Sequence, residues 1–244
     1  MSDPATPAGP LLWLLQLTDS SFPSGLYTLS HGLEGLVQQG VLAVGSGPEA
    51  VGGVLEGLLR HSAGPADATA LALAWRAARG VSTTDPAVAV PALERIDRRL
   101  HATRLPAETR VGATRTGRQV LDLAAELLGD PVVDAWLDHV RNRRSPGGLP
   151  VAMGLVHARA GVPLRDAVLA DLWALCTSVS GAALRLRLVD HRGAQVLLRR
   201  AAPVVEQVAD DSLRRPLDRL GGFAPALDVA GAAHETAEAR LFGS

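Results

Sequence analysis

Seven histidines, at positions 31, 61, 101, 139, 157, 191 and 234, and one cysteine, Cys176, are the side chains with which this chain would hold a metal or build a strong nucleophile. No two of the histidines stand four apart, and a single cysteine excludes both a thiolate cluster and an internal disulfide. His31 and Glu34 read H-x-x-E, the reverse of the E-x-x-H order of helical di-metal sites, and no second pair joins them. There is no Walker loop, no G-x-G-x-x-G behind a strand, no G-x-S-x-G and no H-E-x-x-H, so phosphate cradles, nucleophile elbows and the common zinc-protease site lack support. All 24 basic residues are arginine, which removes lysine chemistry. No catalytic, metal-binding or cofactor-binding residue is assigned. What remains is a ridge: Tyr27, Ser30, His31 and Glu34 fall three and four residues apart and would share one face of a helix. Such a ridge could carry acid–base work through Tyr27, His31 and Glu34, hold a metal ion, offer a recognition surface, or flank the buried side of a core helix.

The elements around the ridge set its geometry. Pro23 and Gly25 form a structural turn, and a helix is expected from about Leu26 to Gln39, with Leu29, Leu33, Leu36 and Val37 as its apolar stripe. Gly32 and Gly35 weaken that helix by about 1 kcal/mol each, so a second backbone is expected close against it. Residues 1–9 are expected to be disordered, 10–220 to form one all-helical domain, and 221–244 to form a tail. LLWLLQL, Leu11 to Leu17, is too short to span a membrane, and Cys176 sits among apolar residues as a small hydrophobe.

Further along, Pro48 opens a helix, Asp67 is placed to cap the next one, and Pro106 and Gly129 bracket a long helix carrying Ala113, Gly117, Leu121, Ala124 and Leu128 on one side. RNRRSPGGLP, Arg141 to Pro150, is expected to be a mobile surface loop. The longest apolar segment, about 163–188, is expected to be the central helix, with Leu172, Trp173, Leu175, Cys176, Val179 and Ala183 facing inward. Pro203 marks a helix or a kinked pair. The fold class is therefore all-α, a single compact domain of about ten helices. A net charge of −1 gives no general field for nucleic acid or anionic lipid, and the lone cysteine fits a reducing, cytoplasmic setting.

Four separated segments resemble one family, the urease accessory protein UreF. FPSGLYTLSHGLE is similar to its L-P-x-G-x-F-x-x-S-x-G-L-E signature, keeping Pro23, Gly25, Ser30, Gly32, Leu33 and Glu34. ETRVGATRTG resembles its E-x-R segment, with Glu108, Arg110 and Gly117. The stretch from Leu149 resembles the central helices, with Arg185 at a basic position and Gln195 at their closing glutamine. HETAEARLFGS resembles the closing H-E-x-x-x-x-R-L-F-x-S, with His234, Glu235, Arg240, Leu241, Phe242 and Ser244. The resemblance implies a non-enzymatic cytoplasmic homodimer without a resident cofactor. It would help load nickel into the urease apoprotein as a scaffold between UreD (also called UreH) and the GTPase UreG, regulating GTP hydrolysis. On that picture Tyr27, Ser30, Glu34 and Arg185 belong to a UreG-regulating surface. Arg240, Leu241 and Phe242 belong to a UreD contact that folds on binding. Glu34 could instead tie its helix to the preceding turn, and the tail could dock on its own domain.

Overall fold

The computed structural model describes residues 9–19, 22, 29–79, 85–237 and 240–242. Eleven α-helices and no strand are found among them. The first two are α1 (Gly9–Thr18) and the short α2 (Leu33–Gln38). They are followed by α3 (Gly47–Leu58), which runs through a π-helical stretch, Leu59–Ala68, into α4 (Thr69–Arg79) without a break. Asp67 is therefore no cap; it lies inside the π stretch and pairs with Arg104 at 2.6 Å. Pro65 explains the irregularity, because it has no N–H for the preceding turn. The carbonyl of His61 is taken instead by the N–H of Phe223 at 2.7 Å, and that of Gly64 by the hydroxyls of Thr69 and Ser212, each at 2.9 Å.

Next come α5 (Pro86–Thr103), α6 (Ala107–Leu128), α7 (Pro131–Arg141) and α8 (Leu149–Arg159). Helix α6 starts behind Pro106 and ends on Gly129 in the left-handed conformation, as its punctuation predicts. The 141–150 segment is tied down. The buried carboxylate of Asp97 accepts from the Ser145 hydroxyl at 2.7 Å and from the N–H groups of Gly147 and Gly148 at 2.7 and 2.9 Å. Gly117 leaves room for this segment, since a Cβ there would stand 2.1 Å from the Gly147 carbonyl. Only the arginine-bearing half, 141–144, is exposed.

The last three helices are α9 (Leu164–Arg185), α10 (His191–Arg214) and α11 (Pro225–His234). Helix α10 continues through Pro203 as one element. Helix α9 is the long apolar helix expected over 163–188; it is long and apolar enough to cross a membrane by composition, but packs along α10 and touches α1 and α8. Its residues Leu172, Cys176, Val179 and Ala183 are buried, Leu175 is half-buried, and Trp173 points to solvent at 38% exposure, against the inward position expected. The helix enclosed on every side is α8, buried from Pro150 to Ala158 and packed mainly on α4 and α6. An apolar circumference demands such a position. Gly154 makes it possible: a Cβ there would lie 2.4 Å from the Leu71 carbonyl of α4.

Candidate functional site

The site begins with a helix that starts late. His31 and Gly32 both take the left-handed conformation, φ 53° and 85°, so α2 starts at Leu33 and not near Leu26. The continuous ridge expected from Tyr27 to Glu34 is therefore not formed, because Ser30 and His31 precede the helix and point elsewhere. Ser30 is fully buried, and the His31 ring lies 2.9 Å from the Ser178 hydroxyl on α9. Burial, and then the charge of Arg185, lower the His31 pKa to about 4, which keeps the ring neutral. Tyr27, Pro23 and Gly25 lie outside the described residues.

Glu34, in the first turn of α2, is 5% exposed and occupied on both oxygens. One oxygen accepts the N–H of Leu241 at 2.7 Å; the other accepts that of Phe242 at 3.1 Å and faces His234 Nε2 at 2.9 Å. His234, the last residue of α11, turns its Nδ1 to Glu108 at 3.1 Å, so its two ring nitrogens face two carboxylates. Glu108 also pairs with Arg240. Its own N–H, at the uncapped start of α6, donates to Glu235 at 3.0 Å, which satisfies one orphan donor of that helix. Phe242 is buried under Arg185, whose guanidinium carbon sits 4.4 Å from the ring centroid.

Backbone proximity holds the two halves of this latch. A Cβ on Gly35 would stand 2.4 Å from the Ala230 carbonyl, so α11 lies directly on α2, the close second backbone that the glycines predicted. Leu227, Ala230 and His234 recur at spacings of three and four and form the face of α11 that meets α2.

Glu34, Arg185, His234, Glu235, Arg240 and Phe242 thus meet at one place, although up to 208 positions separate the bonded residues. Leu241 contributes its N–H while its side chain is 77% exposed. Gln195 stands apart, exposed on α10. Sequence reasoning gave Glu108 no place in the site and Arg110 no role; Arg110 donates to the carbonyls of Arg104 and Leu105 at 2.7 and 2.6 Å and fastens the end of α5 to α6. The only available signal was the E-x-R spacing at a helix start.

Beside the latch lies a cavity of about 220 Å³ lined by Leu29, His31, Asp67, Arg104, Asp171 and Ser178 among others. Burial, reinforced by the charge of Asp67, raises the Asp171 pKa to about 7. No group of three histidine, cysteine, aspartate or glutamate side chains is placed to hold a metal among the described residues. The latch consumes its polar atoms internally, which suits holding two chain segments together.

The family model for UreF matches residues 46–202. The chain belongs to the UreF family. It is 33% identical over 236 residues to urease accessory protein UreF 2 of Brucella canis, covering 95% of this chain and 91% of the relative. Urease accessory protein UreF 1 of Brucella melitensis is equally similar, with 92% of its length covered. The UreF protein of Yersinia enterocolitica is 29% identical over 237 residues, covering 97% of this chain and 99% of its own length. For a UreF-family chain, the latch joins three of the four segments by which the resemblance was read, and Arg185 adds the remaining one.

Proposed function

We propose that this chain acts in the cytoplasm as a non-catalytic homodimeric scaffold for urease maturation, loading nickel into the apoprotein by linking a UreD/UreH homologue to a UreG homologue and timing GTP hydrolysis. Family membership over nearly the whole chain supports the process. The observation that carries the site assignment is the convergence of Glu34, Glu108, Arg185 and the HETAEARLF tail. Glu34 and Ser30 are buried, so in this reading they touch no partner; Glu34 positions the tail, and Arg240 and Leu241 face outward to be read. Gln195 lies on a separate exposed face and is proposed as a second contact.

Co-purification tests the reading. The wild-type chain should recover the UreD and UreG homologues together. Leu241→Ala should weaken recovery of the UreD homologue while leaving the tail docked, and Glu34→Ala should weaken both by releasing it. Normal recovery of both partners by a folded Glu34→Ala protein would remove the latch from the mechanism. The acid–base alternative through Tyr27, His31 and Glu34 loses its geometry, because the His31 and Glu34 side chains engage different partners, Ser178 and His234.

A further inference from the structure

Helix α5 turns Ala89, Leu93, Ile96, Asp97 and Leu100 to the core and Arg95, Arg98 and Arg99 to solvent. Two of these arginines grip neighbouring segments. Arg98 donates to the carbonyl of Arg144 and pairs with Glu94 at 2.7 Å, and Arg99 reaches the carbonyl of Asp218 at 3.4 Å. Both contacts bring further arginines to the ridge, Arg143 and Arg144 on one side and Arg219 on the other, all exposed.

Six cations therefore share one surface of a chain whose net charge is −1. On α5, on 141–148 and on 217–219 the acids outside the core among the described residues are Glu94, occupied by Arg98 and His139, and Asp218. Arg95, Arg143, Arg144 and Arg219 have no ion pair among the described residues. Like charges three and four apart on a helix repel, so this cluster weakens the isolated fold slightly. The guanidiniums held by backbone carbonyls keep further N–H groups for an incoming acceptor and have already lost part of their freedom, which lowers the cost of binding.

We propose that this ridge docks a carboxylate-rich face of a partner protein. Guanidinium forks match carboxylates in pairs. A nucleic-acid strand fits less well, because the ridge offers no aromatic platform for bases and Glu94 and Asp218 interrupt the track a phosphate backbone would follow. The proposal is independent of the urease reading; α5 packs on α4, α7 and α8, whereas the latch is built on α2, α6 and α11.

The test uses the full chain, a labelled decaglutamate peptide and a labelled decathymidylate strand, with fluorescence anisotropy across a salt series. The peptide should bind the wild type and weaken with salt. R95E/R143E/R219E should lose about tenfold or more in affinity, whereas R187E/R192E/R199E, an equal charge change around the start of α10, should lose less than about twofold. R95A/R143A/R219A gives the same reading if the reversed triple does not fold. Absence of peptide binding, equal losses in the two triples, or tighter binding of decathymidylate than of decaglutamate would each overturn the proposal.

Discussion

Glu34 is a buried carboxylate that holds two backbone N–H groups and faces a histidine, so removing it leaves both N–H groups without an acceptor and the ring without that partner. Glu34→Ala should release the 240–242 segment and expose Phe242 while the α4, α6 and α8 core stays folded. Limited proteolysis followed by mass measurement should then show accelerated trimming beyond His234. Two other groups, one buried and one lining the cavity, make opposite contributions to pH dependence. His157 is wholly buried with neither ring nitrogen partnered among the described residues, and burial lowers its pKa to about 4 from 6.5. The unfolded chain takes up that proton first, so its contribution to stability is present above pH 6.5 and lost as pH falls toward 4, by about 1.4 kcal/mol per pH unit. Asp171 is raised to about 7 from 3.8, so its contribution is present below pH 3.8 and lost as pH rises toward 7. Urea unfolding across pH should show the acid limb flattened in His157→Leu, and Asp171→Asn gaining stability over wild type as pH rises from 4 to 7.

Among the elements, contacts between backbones decide more than side-chain volume does. Gly154→Ala would push a Cβ into the Leu71 carbonyl at the α4–α8 crossing and should destabilise by about 1–3 kcal/mol or more. Gly181→Ala meets nothing within 4 Å inside α9 and should stabilise by about 0.5–1 kcal/mol. Thermal melts of the two variants shifting in the same direction would contradict this packing. The helices themselves were largely legible: Pro106, Gly129, Pro48 and the apolar spacings fix α6, α3 and α9 by local chemistry. Three features were not. Helix α2 is shortened because His31 and Gly32 turn left-handed to lead into α2, with Gly32 against Leu227; Asp67 is drawn to a distant Arg104; and the 145–148 segment is fixed by Asp97 from another helix. Each outcome depends on a partner far away in sequence, which no local pattern encodes.

At the scale of the whole molecule, α2 and the 234–242 segment close on each other, with α6 as the third member. The family resemblance named Glu34 and Arg185 for one surface and Arg240, Leu241 and Phe242 for another, but residue patterns alone could not say that Glu34 lies beneath the tail and not on a surface beside it. That arrangement makes tail docking a single cooperative contact, so a UreD homologue binding Leu241 and Arg240 would feel any change at Glu34 or Glu108. Under the proposed function this chain helps load nickel into urease. The most direct test is the nickel content of urease purified from a strain lacking the gene, with and without the gene restored. Nickel-poor urease in the deletion strain, refilled by the wild-type chain and not by Glu34→Ala, is the expected result. Fully loaded urease in the deletion strain would contradict it.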